Sequence, residues 1–176
     1  MKSLEKCNAK WSLIALSIFA MPVASWANPE GPSVVAGSAS FQETGPGALH
    51  IETSDRAIIN WQDFSIGAGE VTKFIQPSAQ SAVLNRVMSG NPSELFGRLE
   101  ANGRIYLINP NGLVVGKDAV IDTAHFLSST LDCADEAFLN NQELLFSGSS
   151  SAVILNLGVI NAWDGDVVLI GYKVDN

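Results

Sequence analysis

Gly103-Arg-Ile-Tyr-Leu-Ile108 recurs in kind as Gly165-Asp-Val-Val-Leu-Ile170. A short apolar strand that returns behind a glycine at a long interval is the mark of a stacked repeat rather than a sandwich. Read as three turns of roughly 21 residues each, the interval predicts a β-solenoid. A second echo, Ile154-Leu155-Asn156 against Val174-Asp175-Asn176, is spaced by about one such turn. In such a solenoid each coil lies parallel on the next, and alternate side chains such as Ile105 with Leu107, and Val167 with Leu169, point into a narrow apolar interior. The echo stops at Asn176, in mid-coil, so the expectation is either a longer solenoid or a truncated copy, with an open sheet edge at the last coil.

The rest of the chain agrees with an all-β fold. From Ser33 onward, short β-branched stretches alternate with Gly, Asn, Asp and Pro, and helical periodicity is nearly absent. Candidate strands are Ser33–Ala36, Ala48–Glu52, Ala57–Trp61, Thr72–Phe74, Ala82–Val87, Arg104–Ile108, Leu113–Val115, Ala119–Ile121, Ala152–Leu155 and Val167–Tyr172. Asp132–Glu143 is acidic and interrupted, and reads as an excursion with room for a short helix.

Residues 1–27 have the order of a secretory signal peptide. Lys2, Lys6 and Lys10 precede an apolar run from Trp11, and Ser25-Trp26-Ala27 puts small residues at the cleavage spacing, with the cut between Ala27 and Asn28. The alternative is a membrane anchor, but the run contains serines and a proline and is shorter than the ~20 apolar residues of a span. Cleavage leaves residues 28–176 as one domain. The chain has 10 Lys plus Arg and 18 Asp plus Glu; removing Lys2, Lys6, Lys10 and Glu5 gives 7 − 17 = −10. Such a surface repels nucleic acid and anionic headgroups. Cys133 is the one cysteine left, so no internal disulfide forms. Two explanations stay open: a core large enough to need no staple, or a chain that must remain extended for a second membrane crossing.

The densest local signal is Arg104-Ile-Tyr-Leu-Ile-Asn109-Pro110-Asn111-Gly112-Leu-Val-Val, a strand, a turn and a strand. Asn, Pro, Asn and Gly in that order suit a type I turn, with Pro110 presetting its φ and the Asn109 amide able to bond backbone two residues on. This stretch resembles the N-terminal secretion domain of two-partner secretion exoproteins, the family of filamentous haemagglutinin and the high-molecular-weight adhesins, whose Asn-Pro-Asn-Gly motif it matches. Ala82-Val-Leu-Asn85-Arg86-Val87, Gly90-Asn91-Pro92-Ser93, Gly97-Arg-Leu-Glu-Ala-Asn102-Gly103 and Val115-Gly116-Lys-Asp-Ala look like the flanking family text in the same order. The haemagglutinin branch carries a further Asn-Pro-Asn-Leu motif. Here Asn91-Pro92-Ser93-Glu94-Leu95 is only a loose echo of it, which places the chain nearer the adhesin-like branch.

The resemblance implies a right-handed parallel β-helix with an N-terminal cap. It also implies export through the Sec machinery, processing by signal peptidase, and recognition in the periplasm of a Gram-negative bacterium by the polypeptide-transport-associated domains of an outer-membrane β-barrel transporter. The product would fold at the cell surface or be secreted, with no cofactor and no catalysis. Asn109 and Asn111 would either shape the turn or touch the transporter, with Asn85, Arg86, Asn91, Pro92, Asn102 and Gly103 as a secondary motif. Competing readings are an adhesin or haem-acquisition protein, in which a longer form meets a host surface or haem, and a β-helix polysaccharide lyase or hydrolase. Trp61 and Trp163 could stack on sugars, but Arg56, Arg86, Arg98 and Arg104 are scattered in sequence.

Other constellations are weak. His50 and His125 are too few for a zinc site. Asp122, His125, Ser128 and Ser129 lack a nucleophile-elbow context. Asp164-Gly165-Asp166 lacks the further ligands of a calcium loop and reads as a turn. Asp132, Asp135 and Glu136 read as a cluster that solvates a loop.

Overall fold

The computed structural model describes residues 28–176. Along the chain run β1 (Ser33–Ala36), β2 (Ala39–Gly45), β3 (Ala48–Thr53), β4 (Ala57–Trp61), β5 (Val71–Ile75), β6 (Ala82–Val87), β7 (Ser93–Leu95) and β8 (Arg98–Ala101). They are followed by β9 (Arg104–Ile108), β10 (Leu113–Val115), β11 (Val120–Thr123), β12 (His125–Ser129), α1 (Asp135–Leu139), β13 (Val153–Asn156), β14 (Val159–Ala162), β15 (Val167–Ile170) and β16 (Lys173–Asp175).

These strands form three sheets, which we call A, B and C. Sheet A has the order β1-β4-β6-β9-β12-β15, sheet B β16-β13-β10-β7 and sheet C β14-β11-β8-β5-β3-β2. Among β3 and the strands after it every pairing is parallel, and from β5 onward the chain winds from sheet C to A and on toward B before the next coil begins. The molecule is a parallel β-helix.

The first end of the stack is closed by chain running the other way. β1 lies antiparallel on β4, β2 antiparallel on β3, and Glu30 bridges Asp63 in the same sense. Antiparallel cover over the first coil protects a sheet end that would otherwise offer unpaired backbone. β2 escapes sequence reading because an edge strand exposed at all but its first residue has no apolar alternation to display.

Columns of stacked side chains fill the bore. Ala57, Val83, Ile105, Phe126 and Val167 stack in one register, and Ile59, Asn85, Leu107, Ser128 and Leu169 in the next but one. Ile105 and Leu107 are fully buried, as expected; Val167 is 42% exposed because it lies in the last coil. Ser128 at an inward-facing position of β12, followed by Ser129, explains why that strand lacks a sequence signature.

The repeat count needs correction. Ile105 pairs Phe126 across one ordinary coil, but Phe126 pairs Val167 across an interval about twice as long. The echo from Gly103 to Gly165 therefore spans two coils, not three, one of them enlarged by the excursion. The shorter echo holds: Ile154 pairs Val174 in the next coil, and the Asn156 amide donates to Asn176 Oδ1 at 2.7 Å. The excursion includes the helix α1, and it extends well past Glu143, since β13 starts only at Val153.

Candidate functional site

The Asn109-Pro110-Asn111-Gly112 turn sits at the corner where β9 of sheet A passes into β10 of sheet B. Its closing bond runs from Gly112 N–H to Asn109 C=O at 3.0 Å. Asn109 Oδ1 accepts the Asn111 N–H at 2.9 Å, so the side chain builds a turn inside the turn. Asn109 Nδ2 donates downward to Asn91 C=O and Ser93 Oγ, both at 3.0 Å, and Asn111 Nδ2 donates to Ser89 C=O at 2.8 Å. From the coil above, Ser150 Oγ donates to Pro110 C=O at 2.6 Å. Three coils are thereby tied at one corner.

Exposure divides the motif. Asn109 is 2% exposed and Gly112 is buried, whereas Pro110 and Asn111 face solvent. Gly112 has φ +104°, in the left-handed region, and a Cβ there would lie 2.6 Å from Val153 C=O. Only glycine satisfies both the backbone angle and the approach of the next coil.

Apart from Arg86, the secondary motif residues fall into three places. Asn91 and Pro92 occupy the corner directly beneath the turn, since Ser93 pairs Leu113; the loose Asn-Pro-Ser echo is the acceptor platform for Asn109. Asn85 is fully buried in the bore, where its Oδ1 accepts the Trp61 indole N–H at 2.9 Å and its amide donates to Tyr106 C=O at 3.3 Å. Asn102 pairs with the Gln76 main chain through both its amide atoms at 2.7 Å, and a Cβ on Gly103 would meet Gln76 Cδ at 2.6 Å.

Arg86 has a different task. Its guanidinium donates to Asp135 at 2.8 Å, to Asp132 at 3.0 Å and to Cys133 C=O at 3.2 Å. Burial opposes its charge, but the two carboxylates win and hold its pKa above the ordinary arginine value. Asp132 and Asp135 are thus not free loop-solvating charges, which corrects the sequence expectation. Of the cleavage pair, Ala27 lies outside the described residues. Asn28 Oδ1 accepts the Thr72 hydroxyl at 2.9 Å against the first coils.

Several candidates are dispersed or buried. Trp61 cannot stack on a sugar: it is 1% exposed, edge-on to Phe41 and Phe64 at 5.6 Å. Trp163 does face solvent, at 56%. Arg56 and Arg86 reach the excursion, while Arg98 pairs with Glu100 on sheet C, so the arginines converge on no groove. Ser128 and Ser129 are each 1% exposed, and Ser129 Oγ is bonded to the Leu131 backbone, so no hydroxyl is presented to a base. His125 Nδ1 accepts the Asp166 N–H at 3.1 Å; burial, then Arg104, lower its pKa against the opposing pull of Asp166. Asp164 accepts from Gln80 at 3.2 Å within a turn. Among the described residues, no three His, Cys, Asp or Glu side chains are grouped to hold a metal.

Known proteins share this architecture. The model of the TPS secretion domain family matches residues 27–176. The crystal structure of the HMW1 secretion domain from Haemophilus influenzae is 41% identical, with a TM-score of 0.77 over 84% of this chain and 40% of that one. Two heme/hemopexin-binding proteins of Haemophilus influenzae are 38% identical over 104 and 105 residues, 59% of this chain. The chain's match spans only 12% and 11% of their lengths. A match over all of the described β-helix, with a solved relative of the same fold, settles the family: the chain belongs to the TPS secretion domains, the secretion domains of two-partner exoproteins.

Proposed function

We propose that residues 28–176 are the export label of an exoprotein, recognised in the periplasm of a Gram-negative bacterium by the polypeptide-transport-associated domains of an outer-membrane β-barrel transporter. Residues 1–27 direct Sec export and are removed by signal peptidase between Ala27 and Asn28. The domain then folds at the cell surface and starts the β-helix. The observation that carries this reading is the family match over residues 27–176. The absence of an internal disulfide suits a chain that crosses a pore extended, and parallel pairing across coils is slow enough to leave time for capture.

Within this scheme Asn109 and Asn111 serve folding rather than contact. In the folded domain both side-chain amides are spent within the corner and on the coil beneath, which supports a role in closing that corner. The transporter reads the extended chain, and closing of the corner completes the label afterwards.

The test is export from a Gram-negative host with and without the matching transporter, following the processed product in periplasm and medium. Appearance in the medium only with the transporter supports the reading; retention as folded periplasmic protein in both cases refutes it. A second reading, haem capture, is favoured by the names of the two relatives. Since those relatives are far longer, we assign that activity to a longer form. A haem titration of residues 28–176 alone should show no saturable Soret shift.

A further inference from the structure

Residues 130–152 add no strand to any sheet of the helix. Asp132 and Ser147 bond each other's backbone at 2.9 and 3.0 Å, which closes the segment on itself. Thr130 N–H still bonds Ile170 C=O at 2.9 Å, but from Asp132 to Ser147 the attachment to the coils is through side chains. Phe138 is fully buried and Cys133 is 7% exposed, both packed with Ile58, Ala82, Leu84 and Ile108, which belong to β4, β6 and β9 of sheet A. The Tyr106 ring meets Phe138 edge-on at 5.4 Å. Two arginines from lower coils fasten it. Arg86 binds Asp132, Asp135 and Cys133 C=O, as described above. Arg56 donates to Phe138 C=O at 3.1 Å and to Asn141 Oδ1, with its guanidinium 5.2 Å from the Phe138 ring centre.

We propose that residues 132–147 form a clasp, a separate cooperative unit that locks the outer face of sheet A after the coils have stacked and that opens without unzipping them. The two kinds of attachment differ in physical nature. Each coil is held by backbone ladders along its sheets, whereas the clasp is held by side chains: Phe138 and Cys133, with the partly buried Leu144 and Phe146, in one apolar cluster, and the two guanidinium groups. Segments attached in this way belong to the low end of the local-stability range.

The clasp also depends on earlier events. Arg56 and Arg86 lie far upstream of their partners Phe138 and Asp135, and the apolar seat is assembled from three different coils. It therefore closes after those coils exist. Contacts that form after the rate-limiting step slow unfolding without speeding folding. On the export reading above, this lock on a domain that has folded outside opposes its return, and the test below is made on purified protein, so its failure is distinct from failure of that reading.

Cys133 is a built-in reporter, because its thiol is shielded by the closed clasp. With Cys7→Ser making Cys133 the one thiol of the full chain, N-ethylmaleimide labelling is followed by mass spectrometry, alongside amide exchange of β9 and β12. The expected result is labelling faster than exchange of those core amides, and a further increase of about tenfold in Arg86→Ala, as loss of charge-assisted bonds of this size implies. Core amide exchange should stay at the parental rate. Labelling at the same rate as core exchange in the parent protein would overturn the proposal without recourse to any variant. So would an Arg86→Ala chain that folds and labels no faster.

Discussion

Asn109→Ala removes, in one substitution, the amide that ties the corner turn to the coil beneath. The side chain donates to Asn91 C=O and Ser93 Oγ and accepts from Asn111 N–H, and it is 2% exposed. Alanine leaves those three partners in place with nothing to bond. Ser93 is fully buried, but its hydroxyl can turn to another acceptor; Asn111 N–H lies nearer solvent and can take water. A buried group left unpaired costs about 1–3 kcal/mol; Asn91 is exposed, so its carbonyl also has access to water, and the loss should be about 1–3 kcal/mol. The assay is urea unfolding of residues 28–176, with the midpoint and slope compared with those of the parent. Asn109→Asp is the companion variant: it keeps the acceptor for Asn111 N–H but turns oxygen toward Asn91 C=O, and should be no more stable than alanine. A loss below about 0.5 kcal/mol for Asn109→Ala, inside the range of an ordinary surface change, would refute the idea that this amide holds the corner. Normal stability combined with blocked export would assign the residue to transporter contact instead.

Three further outcomes follow from the same geometry. Gly112→Ala meets both a φ of +104° and the Val153 carbonyl at 2.6 Å, and should cost about 2 kcal/mol or more in the same urea assay. Trp61→Phe keeps most of the apolar bulk but orphans the fully buried Asn85 Oδ1, for a loss of about 1–3 kcal/mol, and Trp61→Phe with Asn85→Leu should recover part of it. For His125, the folded pKa lies below the unfolded value of about 6.5. The unfolded chain therefore takes up the proton first, so stability falls as pH drops below about 6.5 and levels off below the folded pKa. Urea midpoints from pH 8 to pH 5 should show a fall that is shallower in His125→Gln, and identical slopes would contradict the assignment.

The β-helix was legible in the sequence because a solenoid writes its geometry locally. Two of its coils show an apolar strand close behind a glycine, at Gly103 and Gly165, and the Asn109 to Gly112 turn carries its own instructions in Pro110 and Gly112. Those signals sufficed for fold class, for most of the strands in approximate position, and for the resemblance to a secretion domain. The number of coils between two echoes was not legible, since an interval in sequence cannot distinguish three even turns from two turns and an inserted loop. Nor could the sequence tell that Trp61 faces inward or that Asp132 and Asp135 are tied to Arg86. Those outcomes depend on which residues lie one coil above or below, and that neighbour is set by register across a whole coil, or across a coil and its excursion, rather than by adjacent chain. Local chemistry determined the turns and strands; only the stacking of the coils decided which polar groups meet and which surfaces close.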